Sequence, residues 1–342
     1  MTPLVVRLNA VTSPMDAVER DILAEVDARV VEIEGATDDE ILAAARDADA
    51  IMIVSAYLRG PVIAVLNRCR VISRLGTGVD KIDIAAATAK GIYVVNLPDF
   101  CTEEVADHTM ALLLSAARRL PFFTEAMRQG QQPHDLGGMH RLSTRTLGLI
   151  GFGRIGRAVA RRAQAFGMRV LACDPALTAE DAAHEGVTSA NFDAVLAEAD
   201  YLAPLCPLTP ATRGLLGLPE FRRMKPNAVL VNTGRGELIV EEDLVTALRE
   251  GSIRFAALDV YAGINVFAEG GFPTDHSLFT LENVLLTPHV AAYSQESSAE
   301  SHRDGARAVV EVLTGRPPSH PVNPEVTLRL ITAPGEQCTD HH

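Results

Sequence analysis

Short apolar, β-branched runs alternate with alanine-rich segments of helical character along most of the chain, and this alternation restricts the fold more than any other feature. The runs LVVRL, RVVEIE, AIMIVS, RVISRLG and IYVVNL each stand about one crossover helix from the next. Such a pattern belongs to parallel sheets covered by helices on both faces. A helix-like segment, EEVADHTMALLLSAARRL, follows over 103–120, and the polar, Gly-rich GQQPHDLGG then marks a break. The alternation restarts with TLGLIGFG, RVLACD, YLAPL, NAVLVNTG, FAALDV and NVLLTPHV. At 342 residues the chain accommodates two domains of ordinary size, so the expectation is an α/β protein with two doubly wound parallel sheets. SSAESHRDGARAVVEVLTG reads as one more helix, and the Pro-rich tail after it as loose.

Charge and cysteine usage narrow the partners. Forty-four acidic against 31 basic residues give a net charge of −13, which argues against the phosphate-neutralising face that nucleic acid requires. The five cysteines (Cys69, Cys101, Cys173, Cys206, Cys338) contain no CxxC pair and are odd in number, which fits thiols in a reducing cytoplasm. No metal site is expected. The N-terminus has no basic stretch ahead of an apolar one, and no segment approaches a membrane-spanning run, so a soluble, cytoplasmic protein without a membrane partner is anticipated.

Within LGLIGFGRIGRAVARRAQAFGMRVLACDP, Gly151, Gly153 and Gly156 have G-x-G-x-x-G spacing. The spacing alone is weak. Its setting is specific: an apolar strand before it, an alanine-rich helix after it, and a second strand ending in Asp174. The first glycine permits the tight turn, the second a close approach of backbone to a pyrophosphate, the third close packing of helix on strand. Free N–H groups at the helix start then face the phosphates. Asp174 sits where a carboxylate binds both ribose hydroxyls and repels a 2′-phosphate; Pro175 and Ala176 follow, with no arginine to offset that repulsion. The cofactor predicted is NAD rather than NADP.

Ligands of open α/β sheets collect at the carboxyl ends of the strands. In the second half those ends carry Asn232-Thr233-Gly234-Arg235-Gly236, then Asp259, then Thr287-Pro288-His289. An arginine between glycines suits fork-like binding of a carboxylate, and a histidine suits proton transfer near neutral pH. Together with NAD they point to hydride exchange on a 2-oxo or 2-hydroxy acid.

RLGTGVDKID, GFGRIGRAVA, VNTGRG and LLTPHVA, in this order, resemble the D-isomer-specific 2-hydroxyacid dehydrogenases along nearly the whole chain. NLPDFCTEEVADHTMALLL and TPHVAAYSQES resemble most the branch that includes the C-terminal-binding-protein corepressors. The resemblance implies a flavodoxin-like substrate-binding domain of 1–102 plus 298–342, a Rossmann NAD-binding domain of 103–297, an active site in the cleft between them, and a homodimer. Arg235 would bind the substrate carboxylate and carbonyl, His289 would protonate the carbonyl oxygen, Asp259 would hold the nicotinamide carboxamide, and backbone groups of Thr77 and Gly78 would complete the carboxylate site. The cofactor contacts expected are Gly151, Gly153, Arg154, Ile155, Gly156, Asp174, Pro207, Thr212, Thr233 and Asp259. Tyr57, in the loop after the third strand, is expected to read the substrate's tail together with Arg59, or else Arg59 is merely solvated.

One part of the pattern is displaced. The family has a glutamate five residues after the aspartate, where it pairs with the histidine and favours imidazolium; here Ile264 stands there. FPTDHSLF arrives several residues late, so an insertion within 261–272 would bring Glu269, counted backward from Asp275, to within one position of the glutamate's place as His289's partner. The alternative is a surface flap with Glu269 solvated. Ala292 stands before Tyr293 where the corepressor branch has tryptophan, which leaves room for a substrate bulkier than pyruvate. Beside the 2-oxoacid reductase reading stands a second one, an NAD(H)-sensing, corepressor-like binding module with weak catalysis.

Overall fold

The computed structural model describes residues 2–134, 137–264, 266, 271 and 275–326. The chain divides into two compact units, one of 1–100 with the returning segment from 295, the other of 101–294.

The first unit is built on β1 (Leu4–Arg7), β2 (Arg29–Glu32), β3 (Ala50–Ile53), β4 (Val71–Arg74) and β5 (Tyr93–Val95), hydrogen-bonded in the order β2-β1-β3-β4-β5 with every pair parallel. Its crossovers carry α1 (Ala17–Ala24), α2 (Asp38–Ala45), α3 (Gly60–Ala64) and α4 (Ile84–Ala89). Successive side chains of a strand point to opposite faces, and the core divides accordingly. Val6, Ile51, Ile53, Ile72 and Val94 join one buried cluster; Val5, Ala50, Met52, Val71 and Val95 join another.

In the second unit a long helix, α5 (Thr102–Ala117), and α6 (Leu120–Arg128) precede β6 (Thr146–Ile150). Then come α7 (Arg154–Ala165), β7 (Arg169–Cys173), α8 (Ala179–His184), β8 (Thr188–Ser189), α9 (Phe192–Glu198), β9 (Tyr201–Pro204), α10 (Leu218–Arg223), β10 (Val229–Asn232), α11 (Glu241–Glu250), β11 (Phe255–Leu258) and β12 (Val284–Leu286). The last helix, α12 (Gln295–Leu313), returns to the first unit and packs on α1, β3 and β4. The second sheet is parallel, in the order β12-β11-β10-β9-β6-β7-β8. Connections run to opposite sides from β6, so the strand order reverses between β6 and β9, the place where open sheets of this kind form a ligand crevice. β6 is buried throughout, with Leu147 and Leu149 in one cluster and Ile150 in the other.

Candidate active site

The glycine turn lies at the reversal point. Gly151 leaves β6 with φ +98°, a conformation open to glycine, and a Cβ there would fall 2.6 Å from the Cys206 amide nitrogen in the loop after β9. At Gly156 a Cβ would fall 2.6 Å from the Gly151 carbonyl oxygen, so this residue sets how closely α7 approaches the strand end. Around Gly153 nothing lies within 4 Å of that position, and the residue is exposed at the N-cap of α7. Two glycines are therefore required by the protein's own packing, while the middle one faces a space that a ligand can enter. Arg154 is exposed and Ile155 half-buried just inside the helix. This cradle fits a dinucleotide pyrophosphate: it has room at the N-terminus of a helix whose first N–H groups have no partner within the helix.

Asp174 follows β7 and is half-buried. One carboxylate oxygen accepts the Phe152 amide at 2.7 Å and the other the Ala176 amide at 2.8 Å, so the carboxylate is fixed to the glycine turn itself. Across the crevice, the Thr212 hydroxyl donates to the Pro207 carbonyl at 2.7 Å, and Thr209 and Thr212 exchange further bonds that close this loop into a compact turn. Cys206 beside it carries a thiol that burial pushes up to about 11, so it is a poor nucleophile at neutral pH.

β10, β11 and β12 are in register at their carboxyl ends, where Asn232 stands opposite Leu258 and Leu258 opposite Leu286. This register brings the Arg235, Asp259 and His289 segments to one edge of the sheet. Asn232 shapes the first: its side-chain oxygen accepts the Gly234 amide at 3.0 Å and its nitrogen donates to the Arg235 carbonyl at 2.9 Å. Arg235 is half-buried, and its guanidinium donates to the Gly234 carbonyl at 2.9 Å. His289 is exposed within its unit and has φ +57°, a left-handed conformation that costs about 1–2 kcal/mol for a residue other than glycine.

That conformation is held by Asp259. Its carboxylate, 0% exposed, accepts the Thr287 hydroxyl at 2.6 Å, the Val290 amide at 3.0 Å and the Ala291 amide at 2.9 Å. Burial alone would raise this carboxyl, but the nearby His108 ring and the bonds from Thr287 and the two amides outweigh it and hold the group below the usual carboxylate range. Asp259 thus acts here as the organiser of the His289 turn. A carboxamide contact of the kind expected from the sequence would have to share a carboxylate already bonded to three protein donors. Thr233, expected among the cofactor contacts, likewise turns its hydroxyl inward, 2.7 Å from that of Thr109.

Several residues at this edge were not singled out from the sequence. Tyr261 donates to the Thr287 carbonyl at 2.8 Å, and burial raises its phenol. His108, on α5, places Nε2 3.0 Å from the Thr287 hydroxyl and 3.5 Å from Asp259. The Glu241 carboxylate holds His276 at 2.7 Å and accepts the Ala262 amide at 3.0 Å, tying α11 to both ends of the displaced 261–276 segment. Glu269, the expected partner of His289, lies outside the described residues.

In the first unit, Asn9 builds the loop that contains Tyr57: its side-chain oxygen accepts the amides of Val54, Ser55 and Ala56 at 3.1, 2.8 and 3.1 Å. Tyr57 is 47% exposed with two cations at its ring, Arg59 and Lys81. Arg59 also pairs with Asp38 at 2.7 Å, whereas the Lys81 ammonium donates to the Ser55 carbonyl at 2.9 Å. Thr77 donates its hydroxyl to the Leu97 carbonyl at 3.1 Å and receives Asn96 on its own carbonyl at 2.6 Å, so the Thr77-Gly78 turn is anchored at its start. Among the described residues Asp16, Glu19 and His302 offer a three-ligand cluster. Glu19 already accepts from Arg7 at 2.9 Å, so a guanidinium fills the cationic role there.

A glycine turn at a strand-order reversal, with an acid fixed at the next strand end, defines a dinucleotide-binding α/β protein. The family model of the D-isomer specific 2-hydroxyacid dehydrogenase NAD-binding domain matches residues 110–291. The D-3-phosphoglycerate dehydrogenase of Methanocaldococcus jannaschii is 39% identical over 92% of this chain, and the chain spans 59% of that relative's length. The glyoxylate reductase of Korarchaeum cryptofilum is 37% identical over 87% of this chain and 89% of its own. The crystal structure of an NADPH-dependent glyoxylate/hydroxypyruvate reductase from Sinorhizobium meliloti, in complex with NADP and malonate, superposes with a TM-score of 0.79 at 30% identity, covering 96% of this chain and 99% of that one. The chain belongs to the D-isomer specific 2-hydroxyacid dehydrogenase family, and its second unit is an NAD-binding domain.

Proposed function

We propose that this protein is an NAD-dependent oxidoreductase that interconverts a small 2-oxo acid and the corresponding D-2-hydroxy acid. The observation that carries the reading is the convergence of the Arg235 and His289 turns at one sheet edge, both organised by buried polar side chains. NAD, when bound, supplies or accepts the hydride at C2. Arg235 binds the substrate carboxylate through its planar fork. His289 gives a proton to the oxygen at C2 in reduction and takes it back in oxidation. Thr77 and Gly78 add backbone bonds to the carboxylate, and Tyr57 reads the far end of the substrate. Gly151, Gly153, Arg154, Ile155, Gly156, Pro207 and Thr212 surround the dinucleotide, and Asp174 holds the adenosine ribose and disfavours a 2′-phosphate.

Glu269 is proposed as His289's carboxylate on the sequence alone; in Glu269→Gln the activity limb that reports His289 would then move to lower pH. The exposed apolar side chains of α6, Leu120, Phe122 and Met127, support a homodimer formed through the NAD-binding unit. Cys69, Cys173 and Cys206 are free thiols, as a reducing cytoplasm would keep them. Among the described residues no helix is long and apolar enough to cross a membrane.

NADH oxidation against a panel of 2-oxo acids of increasing size tests the proposal. Turnover that is lost in His289→Ala with NADH binding intact supports it. NADH binding without turnover on any acid overturns it in favour of an NAD(H)-sensing module. A flat rate profile across the panel removes the preference for a substrate bulkier than pyruvate that Ala292 suggests.

A further inference from the structure

We propose that His108 and Thr109, consecutive residues of α5, are positioning residues that hold the Arg235 turn and the His289 turn in fixed register; this rests on the hydride-transfer reading above. Each ends on a threonine two residues ahead of a functional side chain. Thr109 reaches Thr233, which precedes Arg235, and His108 reaches Thr287, which precedes His289.

The direction of every bond in this network follows from proton counting. The Thr109 hydroxyl has one proton and lies 2.6 Å from the Val105 carbonyl, which only accepts, so Thr109 donates there and receives the Thr233 hydroxyl at 2.7 Å. The Thr287 hydroxyl lies 2.6 Å from an ionised Asp259, which also only accepts. Thr287 therefore donates to Asp259, and His108 donates its Nε2 proton to the Thr287 oxygen at 3.0 Å. The imidazole tautomer is thereby fixed with the proton on Nε2.

A helix used only as filler on this face would carry apolar groups at both positions. Thr109 is instead 0% exposed and His108 only 23%, on a helix whose neighbouring positions Val105, Ala106, Met110, Leu112 and Leu113 are all buried and apolar or small. A buried hydroxyl is tolerated when bonded, as here, and costs about 1–3 kcal/mol when not. The α5 helix packs on β10 and β11, and from that one element Thr109 reaches Thr233 after β10 while His108 reaches Thr287 after β12. Register between an arginine that orients a carboxylate and a histidine that delivers a proton a few ångströms away is a geometric demand that one helix with two adjacent polar side chains can meet.

The test compares His108→Leu and Thr109→Val with the conservative His108→Gln and Thr109→Ser. A glutamine amide can replace Nε2–H, and a serine retains the hydroxyl. Turnover number, KM for the oxo acid, the dissociation constant for NADH and the NMR titration of the His289 ring are measured for each. The expected result is a loss of about 10- to 100-fold in turnover number for the apolar variants, as a misplacement of about 1 Å produces. NADH affinity should stay within about threefold, and glutamine or serine should recover most of the rate. Unchanged turnover, or a loss that follows NADH affinity and is not rescued, overturns the proposal. Should His108→Leu fail to fold, His108→Asn, whose amide is too short for Thr287, is scored by the same criteria. If the wild-type protein turns over no 2-oxo acid, the proposed function fails but the positioning role is still read: a displaced His289 resonance and titration in the apolar variants supports it, and an unchanged His289 signal overturns it.

Discussion

The Asp259 carboxylate bonds the Ala291 amide at 2.9 Å, and with the Val290 amide at 3.0 Å it clamps the two residues that follow His289. The left-handed backbone at His289 is thus over-determined by a buried charge rather than by glycine. Asp259→Asn keeps the size of the side chain but puts an N–H₂ where an acceptor is required. We expect a stability loss of about 2–3 kcal/mol by denaturant unfolding, together with a fall in turnover larger than any change in NADH affinity. Turnover at the wild-type level would show that the His289 turn does not depend on this carboxylate.

The three glycines of the turn are predicted to behave differently when replaced by alanine. Gly151→Ala would place a Cβ in left-handed backbone 2.6 Å from the Cys206 amide, costing more than about 2 kcal/mol of stability. Gly153→Ala meets nothing within 4 Å, so thermal unfolding should move little while NADH binding weakens, because the new methyl lies where the dinucleotide approaches. Calorimetry and fluorescence titration on the two variants separate these effects. Equal loss of NADH affinity in both, with unfolding unchanged in both, would contradict the assignment.

The fold was legible because its signals are local and steric. All five apolar runs of the first unit correspond to β1–β5, and all six of the second to strands of its sheet. The strand without a sequence signal was β8, two exposed polar residues, Thr188 and Ser189, at the sheet edge, too short to show any alternation. The glycine spacing was informative because two of its three positions are enforced by backbone approach. The second layer of the site was hidden for a different reason. His108 and Thr109 sit in an apolar helical run, and Tyr261 in a loop; their partners are 179, 124 and 26 residues away in sequence, and only the β10-β11-β12 register brings them together. Asp259 and Thr233, expected from the sequence to contact the cofactor, also carry inward bonds, and hydrogen-bond partners that far away leave no local pattern.

Cofactor choice should depend on Asp174 in two ways. Its repulsion of a 2′-phosphate disfavours NADP, and its bonds to the Phe152 and Ala176 amides shape the turn. Asp174→Ala removes both and strands the Phe152 amide, at a cost of about 1–3 kcal/mol. The ratio of NADPH to NADH affinity should rise even as NADH itself binds less well. A rise in NADPH affinity with NADH unaffected would mean the turn is stable without the carboxylate. An unchanged ratio would remove Asp174 from cofactor selection.

Acid stability should report the buried Arg7–Glu19–His302 network of the first unit. Arg7 and Glu19 side chains are both 0% exposed, Arg7 bonds one carboxylate oxygen at 2.9 Å, and His302 bonds the other. Burial alone would raise the Glu19 carboxyl, but the His302 bond and the Arg7 charge prevail and hold it below its ordinary 4.5. A group depressed in the folded state contributes stability that is fully present above its unfolded value and is lost as pH falls through the folded one. Wild-type unfolding free energy should therefore decline as pH drops below about 4.5, with Glu19→Gln showing a shallower decline. At neutral pH the same substitution leaves Arg7 buried without its counter-charge and should cost about 3 kcal/mol. Parallel stability curves for the two proteins across the acid range would show that Glu19 is not the group whose protonation weakens this unit.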